Sequence, residues 1–162
     1  MKRMVAVTAL VVGLVSGAPC SAGAGDGSLT TVGVTFGAPS GLGVFVDEGV
    51  ALGHASGMSL RAQAGLSGGE LSAGLGRFIG DFQAIGLRAS VVQTWGKPIG
   101  TEPGRTLVGV SLEYGLPPSI ATVRAGVLMP LDGRARAARF TWGLSIGVPL
   151  WLLSGKPLFD IF

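Results

Sequence analysis

The sequence predicts an all-β chain: an eight-stranded antiparallel up-and-down transmembrane β-barrel behind an N-terminal signal peptide. Three observations carry this. The first is the stretch 139–151, RFTWGLSIGVPLW. Phe140, Trp142, Leu144, Ile146, Val148 and Leu150 form one face, and Thr141, Gly143, Ser145, Gly147 and Pro149 the other. That is the two-residue period of a strand, not the period of a helix. The large face is unbroken and the opposite face is small rather than charged. A lipid-facing barrel strand reads this way, with about 9–11 residues, an apolar outside and aromatics toward the interfaces. The second observation is that seven more segments repeat the pattern. The third is that the one continuous apolar run lies at the start of the chain, so no helical span is indicated in its body.

That first run is preceded by Lys2 and Arg3, extends from Val5 to Val15 and is followed by Ala22-Gly23-Ala24. A basic start, a short apolar stretch and an A-x-A site make a secretory signal peptide over 1–24. The other reading is an uncleaved anchor, for which the apolar stretch is short. Cys20 is the single cysteine, and Pro19 directly before it departs from the Leu-small-small-Cys pattern of a lipidation signal. If Cys20 leaves with the peptide, the mature chain has no thiol, which excludes disulfides and cysteine-based metal sites. Loss of Lys2 and Arg3 takes the 12 basic residues to 10 against 9 acidic, so the net charge falls from +3 to +1. With no basic tract or basic-aromatic stripe left, no nucleic-acid footprint is expected.

The barrel is expected over 25–152, with a tail at 153–162. The strands read as 29–36, 42–53, 58–66, 70–78, 82–95, 105–115, 119–129 and 139–151. Turn composition rich in Gly, Pro and Ser marks the breaks between them. With the N-terminus in the periplasm, the connections at 54–57, 79–81 and 116–118 are short. Those at 37–41, 67–69, 96–104 and 130–136 are mostly longer, as outer-membrane barrels have them. Phe36, Trp95 and Phe140 fall at the outer strand ends, and Tyr114 and Trp151 at the periplasmic ends, giving two aromatic belts. In strand 2, Asp47 and Glu48 are adjacent, so only one can face inward. A bulge near Glu48-Gly49, or a shorter strand, is expected to keep the other off the lipid face.

An eight-stranded barrel is just wide enough for its side chains to fill it. Gly33, Gly65, Gly74, Gly86, Gly109, Gly126 and Gly143 read as inward positions that leave room for the few long residues there. These are Arg61, Gln63, Arg88, Glu113 and Arg124, with Asp47 nearby. The turn between strands 6 and 7 is expected to set Ser111 opposite Arg124. Glu113 would then lie diagonally between Arg88 and Arg124 and be held by both.

At this point the chain resembles the small eight-stranded bacterial outer-membrane barrels of the OmpA and OmpX type. The likeness spans roughly 28–152 and is one of architecture. A sharper local feature is the assembly signal that such barrels carry in the last strand: polar, any, Gly, two of any, hydrophobic, any, hydrophobic. Ser145, Gly147, Leu150 and Leu152 stand at that spacing. Leu152 is not aromatic, and ten residues follow it, where the signal usually ends the chain. The resemblance implies outer-membrane lipid and the barrel-assembly machinery as partners, and a monomer.

The functional expectation is a small outer-membrane barrel with a side-chain-filled lumen and a structural or envelope-stress role, without catalytic residues, cofactor or metal. One alternative is a soluble periplasmic β-barrel binding a small apolar ligand. Another is a lipid-modifying barrel enzyme or narrow channel. His54 is the sole histidine. A Ser-His-acid site would draw on Ser56 and on Asp47 or Glu48, but a solvated turn histidine is the plainer reading. GLGVF and GLGRF are not nucleotide loops, because no helix follows them.

Overall fold

The structure is a computed structural model that describes residues 28–53, 55–79, 83–116, 120–131 and 137–150. Its strands are β1 (Ser28–Ala38), β2 (Gly41–Gly53), β3 (Ser56–Gly65), β4 (Gly68–Phe78), β5 (Ala84–Thr94), β6 (Thr106–Leu116), β7 (Ala121–Pro130) and β8 (Arg139–Pro149). Every strand edge lies within two residues of its sequence expectation. Neighbours in the chain are neighbours in the sheet, all antiparallel, and β8 returns to pair with β1, closing the barrel. Closure removes the edges that an open sheet would expose. Two ends result. The entry end is where β1 begins and β8 stops; the loop end carries the β1–β2, β3–β4, β5–β6 and β7–β8 connections.

The pairing sets the tilt. Thr30 faces Glu48, Glu48 faces Leu60, and the series continues through Ala73, Ala89, Val110 and Val127 to Phe140. By the β1–β8 register, in which Thr31 faces Pro149, Phe140 stands level with position 40. One circuit therefore advances from position 30 to position 40, a stagger of ten residues over eight strands. With strands about 4.8 Å apart and about 3.3 Å per residue, that stagger corresponds to a tilt of roughly 40°.

Alternation sorts the side chains as the sequence predicts. Val34, Val44, Leu60, Leu75, Leu87, Leu112, Val123, Leu144 and Ile146 are exposed on the outer wall. Asp47, Arg61, Gln63, Glu70, Ser72, Arg88, Ser111, Thr122, Arg124 and Ser145 are buried within. This is the reverse of a water-soluble domain, whose buried positions are mostly apolar. Among the buried apolar residues, Val92, Leu107 and Leu128 cluster near the loop end, on β5, β6 and β7.

Strand 2 differs from expectation. It runs unbroken through Asp47 and Glu48, and its only register shift lies between Ala51 and Gly53. No bulge re-aims Glu48, which points outward and is exposed. The reason is that Asp47 stands directly opposite Arg61 and binds it inside the barrel, at 2.7 Å. A bulge that turned Glu48 inward would pull Asp47 off that pair.

The glycines serve two purposes rather than one. At Gly74 and Gly143 an added Cβ would meet the side chains of Arg88 and Arg124, as the space argument predicts. At Gly33, Gly109 and Gly126 it would fall 2.2, 1.9 and 2.2 Å from a carbonyl oxygen of the neighbouring strand, so there the limit is backbone approach.

Candidate functional site

The residues that carry charge inside the barrel define the candidate site. Arg61 on β3 and Arg88 on β5 face Asp47 on β2 and Glu113 on β6. Arg61 Nη2 donates to Asp47 Oδ2 at 2.7 Å and Nε to the same oxygen at 3.2 Å; Nη1 donates to Glu113 Oε2 at 3.3 Å. Arg88 Nε donates to Glu113 Oε2 at 3.2 Å, and its Nη2 lies 3.5 Å from Asp47 Oδ2. Two cations and two anions thus alternate in a closed ring. Arg88 also donates to Ser59 Oγ at 2.7 Å and to Ser72 Oγ at 3.4 Å. The Arg61 guanidinium lies over the Phe45 ring, 4.6 Å from its centroid, which adds a cation–π contact.

A second cluster sits across the lumen. Arg124 on β7 grips Glu70 on β4 with both terminal nitrogens, Nη1 to Oε1 and Nη2 to Oε2, the latter at 2.6 Å. Its Nη2 also reaches Gln63 Oε1 at 3.5 Å. This corrects the expected arrangement. Glu113 does face Arg124 across the β6–β7 ladder, and Ser111 faces Gly126. Yet Glu113 is held by Arg61 and Arg88, and Arg124 turns to the far wall. Charge balance explains the choice. Asp47, Glu70 and Glu113 match Arg61, Arg88 and Arg124 one for one. Glu70 is buried, and without Arg124 its carboxylate would be an uncompensated charge, which is costly. Glu70 and Gln63 were legible as inward by phase with Ser72 and Arg61. Their partner was not, because it lies three strands from Glu70 and four from Gln63.

The clusters tie β2, β3, β5 and β6 together, and β4 to β7. At the closure, Ser145 Oγ donates to Thr35 Oγ1 at 3.1 Å, and Thr35 Oγ1 to Leu144 O at 3.2 Å. Ser145 and Gly147 of the expected assembly signal therefore lie on the inner side of the β1–β8 seam. Leu150 ends the described residues and Leu152 lies outside them, as do Trp151, His54, the signal peptide and the tail. Of the expected aromatic belts, Phe36, Tyr114 and Phe140 are exposed on the outer wall, and Phe36 packs edge-on against Trp142 at 5.5 Å. Trp95 lies one residue past β5 and is half-buried; its backbone N–H donates to Ser67 O at 3.0 Å.

The two ends of the lumen differ. At the loop end, the 95–105 connection crosses the mouth. Ile99 N–H donates to Pro39 O at 3.1 Å, in the turn above the opposite wall, and Arg139 Nη1 donates to Gly100 O at 2.7 Å. Thr94 Oγ1 accepts from Arg105 N–H and donates to Glu102 O. Beneath this cap lies the Val92, Leu107 and Leu128 layer. Toward the entry end, Glu113 keeps 14% of its side chain exposed, against 3% for Asp47 and none for Arg61, so solvent reaches the ring from that side. Chemically the arrangement neutralises and braces. Its guanidiniums are committed to carboxylates, and the ring stands across the passage. Among the described residues, no group of three or more His, Cys, Asp or Glu is placed to hold a metal ion.

The fold and this interior define the class: a closed, eight-stranded antiparallel β-barrel with an apolar outside and an ion-paired polar inside. No protein-family model, curated protein or solved structure matches the chain.

Proposed function

We propose that this chain is a small bacterial outer-membrane β-barrel of the OmpA/OmpX kind of architecture, with a side-chain-filled lumen and a structural role in the cell envelope. It is delivered by a signal peptide over 1–24, inserted by the barrel-assembly machinery and surrounded by outer-membrane lipid. The observation that carries this reading is the inverted wall: apolar side chains outside all round, paired charges inside. Water would meet the first unfavourably, whereas a bilayer about 30 Å thick with no hydrogen-bonding groups suits it. A soluble barrel that binds an apolar ligand would need an apolar interior, and here salt bridges occupy that space. The capped loop end and the ion ring argue against a wide passage, as does the strand number.

Cell fractionation combined with electrophoresis of unboiled samples tests the proposal. The expected result is recovery in the outer-membrane fraction, with a mobility shift on boiling. Full recovery in the soluble periplasm, with no shift, would overturn it.

A further inference from the structure

The outer wall carries two charged side chains among the described strand residues, Glu48 and Arg77. Arg77 is the one cation. It stands one residue before the end of β4, at the entry end, and is exposed. Among the described residues it has no ion-pair partner. It also borders a shallow, open apolar depression on the outer wall with Leu75, Ile85, Leu87 and Leu112. The register explains the shape. Leu75, Leu87 and Leu112 face one another across β4, β5 and β6 as one wall, and Arg77 and Ile85 pair as the other. Between the walls lie Gly76 and Gly86, a cross-strand pair.

From this we infer that the depression seats an anionic phospholipid, its phosphate on the Arg77 guanidinium and an acyl chain along Leu75, Leu87 and Leu112. A cation at the edge of an apolar trough is complementary to a molecule with an anionic head and an apolar tail. Arg is suited to phosphate because its planar fork matches two oxygens at once. The position at the strand end puts that cation at headgroup depth, where an unpaired charge deeper in the wall would be costly. The inference rests on the membrane reading above.

The test uses the full chain refolded in phosphatidylcholine vesicles containing a minor fraction of phosphatidylglycerol. Detergent dependence and the heat shift of the wild type are scored first; their absence sinks the membrane reading itself. Native mass spectrometry then counts retained lipids. The wild type is expected to retain phosphatidylglycerol over phosphatidylcholine, and Arg77→Gln to lose about fivefold of that preference. Arg77→Lys should keep part of it, and Glu48→Gln should not reduce it. Equal retention of the two lipids by the wild type, or unchanged preference in folded Arg77→Gln, would overturn the seat. So would a dimer mass in place of bound lipid, because a second copy would then cover the depression. If Arg77→Gln does not refold, loss of the wild-type preference at high salt is the required result, and a salt-independent preference overturns the seat.

Discussion

Glu113 is the residue on which the ion ring turns, since a single oxygen accepts from both Arg61 and Arg88. Glu113→Ala leaves two largely buried guanidiniums short of a carboxylate, a loss on the order of 3–5 kcal/mol. Glu102 pairs with Arg105 at the surface, its Oε2 accepting from Nε at 3.1 Å, and its side chain is 66% exposed. Glu102→Ala should stay within about 1 kcal/mol of the wild type. Urea midpoints of the barrel refolded in detergent separate the two, and equal midpoints would show that the ring contributes no stability. The same logic applies to Glu70 and Arg124. Glu70→Ala should destabilise more than the paired change Glu70→Leu with Arg124→Leu, because the pair removes both charges together. Gly143 is the companion test of space. A Cβ there would lie 2.7 Å from Arg124 Nε, so Gly143→Ala should displace that side chain and cost about 1–3 kcal/mol. An unchanged urea midpoint would mean that Arg124 repacks freely.

At the scale of elements, the 95–105 connection is held by contacts to three other parts of the chain: the 39–40 turn, the 66–67 turn and β8. Arg139→Ala removes the β8 tie, the bond to Gly100 O. Amide hydrogen exchange at Ile99, whose N–H donates to Pro39 O, should then accelerate severalfold while the strand amides stay protected, since local opening and not global unfolding governs such a site. Equal exchange rates would show that the backbone bonds from Trp95 and Ile99 hold the loop unaided. Strand β8 carries the other expectation at this scale. Ser145 and Gly147 line the closing seam, so they have a structural reason to be small and polar whether or not they are read during assembly. Gly147→Asp together with Leu150→Asp should abolish insertion and leave degraded or periplasmic protein. Unchanged membrane levels would make the spacing a coincidence of the strand pattern.

For the whole molecule, stability comes from two sources that do not resemble an ordinary core. The ladders close on themselves, so each strand pairs with two neighbours. The interior then braces opposite walls through arginines. A barrel built this way should remain folded in detergent and lose its fold on boiling. The proposed envelope role rests on the same distribution: the outside is apolar, and the inside is occupied by its own side chains.

Strand number, strand edges and the inward or outward phase of each residue were legible in the sequence. A two-residue period is a local property, and each strand displays it without reference to any other. Arg61, Arg88, Arg124, Asp47 and Glu113 could be placed inside the barrel for that reason. Which carboxylate meets which arginine was decided only by the tertiary structure. Those contacts depend on the ten-residue stagger of the closed sheet, and they reach across the lumen between strands far apart in sequence, as Arg124 does to Glu70. The same holds for Glu48, sent outward because Asp47 is fixed to Arg61, and for Ile99, which finds Pro39 on the opposite wall. Local alternation determines which side of the wall a residue takes; closure and charge balance determine its partner.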